Sequence, residues 1–147
     1  MTVVSNYGTL SLVEVYLIGM RQSILLVDDD PQIRALCRAT LEETGYVVSE
    51  ASDGREALAA IKETAFDLIV LDLCMPDKDG FEFLQTVRIE APNLKIIVIS
   101  GFMVGSMLPA ARLHGAVATL AKPFSPDSLL LVVDEVLGTR GSVGASD

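Results

Sequence analysis

Ile24-Leu25-Leu26-Val27-Asp28-Asp29-Asp30-Pro31 decides the fold. Four aliphatic residues run directly into three aspartates and a proline. A short, uninterrupted apolar run of this kind reads as a strand buried on both faces. Asp30 followed by Pro31 reads as a helix N-cap and first helical position, since Pro lacks the N–H that a first turn leaves unbonded. Ile33, Leu36, Cys37 and Leu41 then recur at helical spacing, and Gly45 ends the helix. A buried strand that passes straight into a helix is the opening half of a β-α-β unit.

The same alternation continues along the chain. Apolar runs at 24–27, 46–49, 67–71, 95–99 and 117–121 are each short and aliphatic or β-branched. Helical periods lie between them. Asp53 and Glu56 resemble a capping box ahead of Ala57, Leu58 and Ile61. Phe81, Leu84 and Val87 mark a third helix, a short fourth lies near Pro109 to His114, and Ser125-Pro126 opens a fifth carrying Leu129, Val132, Val133 and Val136. Alternating strands and helices imply a parallel sheet with right-handed crossovers. The expected class is α/β, a flavodoxin-like (βα)5 three-layer sandwich with a five-stranded parallel sheet in the order 2-1-3-4-5. Residues 22–138 form the expected domain, 1–21 an N-terminal extension and 139–147 a flexible tail. Two readings stand for the extension: an arm that packs or pairs, or an upstream segment with Met20 as the natural start. The second is preferred.

Composition narrows the function. The 147 residues are half apolar, with a net charge of −9, a pI near 4.5 and a mean hydropathy of +0.46. A chain of this length buries a core without staples. Its acidity argues against direct nucleic-acid binding. The two cysteines, Cys37 and Cys74, form no disulfide framework. The stretch 94–104 is too short to span a membrane, and no basic segment precedes the apolar N-terminus. The expected location is the cytoplasm, with no membrane attachment.

In an open parallel sheet, ligands bind at the carboxyl ends of the strands. Asp28 and Asp29, Asp72, Ser100 and Lys122 follow the first, third, fourth and fifth predicted strands. Like charges about 4 Å apart cost roughly 4 kcal/mol per pair at an effective dielectric near 20, so three carboxylates at one rim call for a cation. Oxygen ligands without a nearby imidazole favour magnesium over zinc.

Leu25 through Asp30, Val70-Leu71-Asp72-Leu73-Cys74-Met75-Pro76-Asp77-Lys78-Asp79-Gly80, Ile99-Ser100-Gly101 and Ala121-Lys122-Pro123-Phe124 together resemble the response-regulator receiver family, over about residues 22–138. Each motif alone is weak; four in order and at this spacing are specific. The resemblance implies that Asp72 is the phosphoacceptor, forming an aspartyl phosphate. It implies a magnesium site of Asp29, Asp72 and the main-chain carbonyl of Cys74, with Asp28 acting mainly through water. Lys122 would neutralise phosphoryl oxygens, and Ser100 would donate its hydroxyl to the phosphoryl group. Pro123 would hold the turn after Lys122. The implied function is phosphorelay signalling: a phosphoryl group arrives from a sensor histidine kinase or a histidine phosphotransfer protein and switches contact with a downstream protein target. Self-association into a homodimer is compatible with this. The chain would be no enzyme beyond its own magnesium-dependent phosphorylation and dephosphorylation.

Other residues read differently. Cys37 lies on an apolar helix face and belongs to a core. His114 sits at a helix end, where a cation suits the dipole. Phe102, Met103, Val104 and Met107 follow Ser100 closely and either cover a partner surface or cap the sheet edge. Cys74 and Phe102 border the path of attacking water in this family; neither side chain orients water well, which implies a long-lived phosphorylated state. The family often carries an aromatic switch residue three positions before the lysine, where this chain has Thr119. Three other readings compete. Asp28 and Asp30 form the Asp-x-Asp of a dehalogenase-type phosphatase, but Pro31 and Gln32 replace the small residues expected after it. A flavodoxin needs a Ser/Thr-rich phosphate loop rather than three aspartates. A receiver fold without phosphorylation is disfavoured because every site position holds a competent residue.

Overall fold

The computed structural model describes residues 2–5, 8–73, 80–101 and 108–138. The chain opens with strands β1 (Thr2–Ser5) and β2 (Gly8–Ser11) and helix α1 (Leu12–Gly19). It continues with β3 (Ser23–Val27), α2 (Pro31–Glu43), β4 (Val47–Ala51), α3 (Gly54–Glu63), β5 (Leu68–Asp72), α4 (Gly80–Glu90), β6 (Lys95–Ser100), α5 (Leu108–Leu113), β7 (Ala118–Ala121) and α6 (Pro126–Leu137). Strands β3 to β7 form one sheet in the order β4-β3-β5-β6-β7, every pairing parallel. Counted from β3, this is the expected 2-1-3-4-5.

Alternation along the strands makes three layers. Leu25, Val27, Ile69, Leu71, Ile96 and Val98 point to one face, where they pack with Ala57 of α3, Phe83, Leu84 and Val87 of α4, and Ala111 of α5. Ile24, Leu26, Leu68, Val70, Ile97 and Ile99 point to the other, against Cys37 and Leu41 of α2 and Leu129, Val133 and Leu137 of α6. All five residues of β5 are buried, as a central parallel strand covered on both sides must be.

The local signals act as their chemistry dictates. The Asp30 carboxylate accepts from the Gln32 N–H at 2.9 Å, with Pro31 opening α2. Asp53 accepts from the Glu56 N–H at 2.9 Å. The Glu56 carboxylate takes the Ser52 hydroxyl instead of turning back on the cap, so the expected box is a one-way cap plus a neighbouring hydrogen bond. Ser125 accepts from the Ser128 N–H at 3.1 Å. A reciprocal capping box occurs where none is expected: Ser11 and Glu14 exchange N–H bonds of 2.8 and 3.1 Å at the start of α1. The strands before it pair with each other as an antiparallel hairpin and form a separate sheet. Helix α1 leaves Val13 and Tyr16 about two-thirds exposed.

Gly115 turns the chain from α5 toward β7 at φ +106°, where an added Cβ would lie 2.6 Å from the Arg88 side chain. Arg88 can swing aside, but the backbone conformation disfavours any L side chain. Gly115→Ala is therefore expected to cost about 1–2 kcal/mol. Urea unfolding checks this: the midpoint falls with an unchanged slope, and an unmoved midpoint contradicts it.

Candidate functional site

Four neighbouring strands end at one rim. Asp28 follows β3, Asp72 is the last residue of β5, Ser100 the last of β6, and Lys122 follows β7. Register keeps them level: Val27 pairs with Leu71, Asp72 with Ile99, and Ser100 with Ala121. The loops are tied to the ladder. The Asp28 N–H donates to the Ala51 carbonyl at 3.2 Å, and the Lys122 N–H to the Ser100 carbonyl at 2.7 Å. The Lys122–Pro123 peptide bond is cis.

Asp28, Asp72 and Ser100 are buried, whereas Asp29 is exposed. One carboxylate oxygen from each of Asp28, Asp29 and Asp72 falls in a cluster with no separation above 4.8 Å. The Lys122 ammonium bridges two of them, 2.9 Å from Asp28 Oδ2 and 3.1 Å from Asp72 Oδ2. Asp28 Oδ1 accepts from the Asp30 N–H at 2.9 Å. The Ser100 hydroxyl donates to the Gly101 carbonyl at 3.3 Å.

Burial by itself would lower the pKa of Lys122. The hydrogen bonds it donates to Asp28 and Asp72, with their negative charge, outweigh it and hold the ammonium above the ordinary lysine value. Lys122 is thus a fixed positive charge at neutral pH. Among the described residues the Lys122 ammonium bridges two of the three carboxylates, and the donors of the cluster are all hard oxygens. This set fits a small divalent cation such as magnesium.

The rim thus brings together Asp28, Asp29, Asp72 and Lys122, with Ser100 on the adjoining strand end, as the sequence leads one to expect. Cys74, Phe102, Met103, Val104 and Met107 lie outside the described residues. Cys37 is buried in the α2 face, where desolvation, with Asp28 nearby, pushes its thiol up to about 11. It is a neutral core residue at physiological pH. Thr119 is half-buried in β7 opposite Val98. One residue at the rim has no signal in the sequence: Arg34 of α2 donates from Nη1 to the Asp28 carbonyl at 2.6 Å.

Comparison with known proteins follows the same outline. Residues 24–134 match the family described as the response regulator receiver domain. The alginate biosynthesis transcriptional regulatory protein AlgB of Pseudomonas aeruginosa is 36% identical over 117 residues, covering 80% of this chain and 26% of AlgB. The chain thus spans about a quarter of that relative. Sporulation initiation phosphotransferase F of Bacillus subtilis is 30% identical over 123 residues, covering 84% of this chain and 99% of that protein. The crystallised chemotaxis protein CheY4 of Vibrio cholerae superposes with a TM-score of 0.74 at 36% identity, covering 79% of this chain and 98% of CheY4.

Proposed function

Because the chain belongs to the response regulator receiver domain family, we propose that it serves a phosphorelay by taking a phosphoryl group on Asp72. The supporting observation is the Lys122 ammonium held between the buried carboxylates of Asp28 and Asp72. A carboxylate placed beside a fixed cation can attack phosphorus while the charge on the phosphoryl oxygens is offset.

In the proposed step an Asp72 carboxylate oxygen attacks the phosphorus of a phosphohistidine. The new P–O bond forms as the P–N bond breaks, and the imidazole leaves with the electron pair. Lys122 faces the phosphoryl oxygens and the Ser100 hydroxyl donates to one of them. Asp28, Asp29 and Asp72, with the Cys74 carbonyl, would hold magnesium. When bound, that ion supplies further positive charge against the phosphoryl oxygens. The self-catalysed loss of the group by hydrolysis belongs to the same site, and the chain catalyses no other reaction in this reading.

The donor is a sensor histidine kinase or a histidine phosphotransfer protein. Output is a changed contact with a downstream protein near α5 and β7, where Thr119 replaces the aromatic switch. The working unit is residues 22–138, with 1–21 as an extension and 139–147 as a tail. Among the described residues no helix is long and apolar enough to cross a membrane. We place the protein in the cytoplasm, within reach of phosphorylated kinases, and not on nucleic acid, given its net charge of −9.

Incubation with acetyl phosphate or phosphoramidate tests this reading by intact mass. One phosphoryl group is expected when magnesium is present, and chelation suppresses it. A mass that never changes in magnesium overturns the reading.

A further inference from the structure

The geometry points to Arg34, anchored on Glu50, as the positioning residue that sets the aim of the Asp28–Asp29 pair. This inference deepens the proposed function and rests on the reading of the rim as a magnesium and phosphoryl site. Arg34 lies one turn into α2, its N–H bonded to the Asp30 carbonyl at 3.1 Å. Its side chain turns back to the rim, where Nη1 donates to the Asp28 carbonyl at 2.6 Å. Its Nε donates to Glu50 Oε1 on β4 at 2.9 Å.

The Asp28 carbonyl belongs to the planar peptide that joins Asp28 to Asp29. Holding that oxygen fixes the plane, and the plane fixes the direction in which Asp29 leaves Asp28. The other side of Asp28 is held by β4 through the Ala51 carbonyl at 3.2 Å. Strand β4 thus grips Asp28 twice, once directly and once through Glu50 and Arg34. Asp29 is exposed, so its carboxylate has little packing of its own to place it beside Asp28 and Asp72. A charge-assisted bond to the main chain supplies that placement. Groups that orient metal ligands without touching the metal change affinity by about tenfold to a hundredfold when removed.

A neighbour supplies the control. Arg38 shares Glu50, donating to its Oε2 at 2.8 Å, and pairs with Glu42 at 2.9 Å. Removing Arg38 therefore disturbs the same ion-pair network one turn away from the rim.

Isothermal titration calorimetry with magnesium chloride tests this on the full chain, for wild type, Arg34→Gln, Arg34→Lys, Glu50→Gln and Arg38→Gln, each checked for folding by circular dichroism. Arg34→Gln is expected to weaken magnesium binding by about tenfold or more. Arg34→Lys, with one ammonium in place of the fork, recovers part of it. Glu50→Gln weakens it by a smaller factor, and Arg38→Gln leaves it within about twofold. The inference is overturned if Arg34→Gln binds magnesium as wild type does, or if Arg38→Gln loses as much. Should Arg34→Gln not fold, Glu50→Gln decides, and unchanged affinity there overturns it. Wild type that binds no magnesium overturns the magnesium site itself, and this inference with it.

Discussion

Replacing Lys122 with alanine is expected to slow phosphorylation of the chain by about a hundredfold to a thousandfold, the usual cost of removing one preorganised charge-stabilising donor. The lysine is the cation that bridges Asp28 and Asp72, at 2.9 and 3.1 Å. Without it the nucleophile loses the cation that offsets its charge and that of Asp28, and an incoming phosphoryl group loses the ammonium that would face its oxygens. The pH dependence follows from the raised pKa of Lys122. A group whose folded pKa is raised contributes stability that is complete below its unfolded value, near 10.4, and is lost as pH rises through the higher folded value. Between about pH 6 and 9 the lysine therefore contributes no titration to the labelling rate. Initial rates with acetyl phosphate, read by intact mass at fixed magnesium, check the first part. A Lys122→Ala rate within about threefold of wild type contradicts it.

Saturating magnesium is expected to raise the melting temperature by about 5–10 °C, and chelation to reverse the rise. A ligand that binds only the folded state at a hundred times its Kd adds about 2.7 kcal/mol. For a domain of this size each kcal/mol moves the midpoint by about 2–4 °C. The physical source is the cluster of three carboxylate oxygens within 4.8 Å, bridged in part by the Lys122 ammonium. Asp29→Ala removes a ligand and also a like charge, so this variant should melt no lower than wild type in chelator yet respond far less to the metal. Differential scanning calorimetry separates the two effects. A wild-type midpoint that ignores millimolar magnesium counts against the site.

The residues that place this site speak through local chemistry, which is why they can be read from the sequence. Asp30 and Pro31 start α2, Gly45 follows its end at φ +102°, and Ser125 and Pro126 start α6. Aliphatic runs set the five parallel strands, and a parallel sheet necessarily delivers the residues after each strand to one rim. Asp28, Asp72, Ser100 and Lys122 come together for that reason alone. What stays hidden depends on contacts across the fold. Helical spacing picks out Leu84 and Val87 in α4, and both are buried; it does not pick out Phe83, 1% exposed, because tertiary packing sets how wide the buried stripe is. Glu56 takes the Ser52 hydroxyl, a partner that the capping-box spacing does not name. Ser11 and Glu14 have capping-box spacing, yet they sit in a segment whose composition fits no repeat of the domain. Arg34 joins Asp28 to Glu50 across two elements, and no periodicity connects those three positions.

The account stands on Asp72 as the phosphoacceptor, and the most direct measurement is labelling of wild type beside Asp72→Asn. Both proteins are incubated with acetyl phosphate and magnesium and followed by intact mass. Wild type should gain one phosphoryl group, and Asp72→Asn, folded and still carrying Asp28, Asp29 and Lys122, should gain none. The same mass shift at the same rate in Asp72→Asn would place the phosphoryl group elsewhere and contradict the assignment.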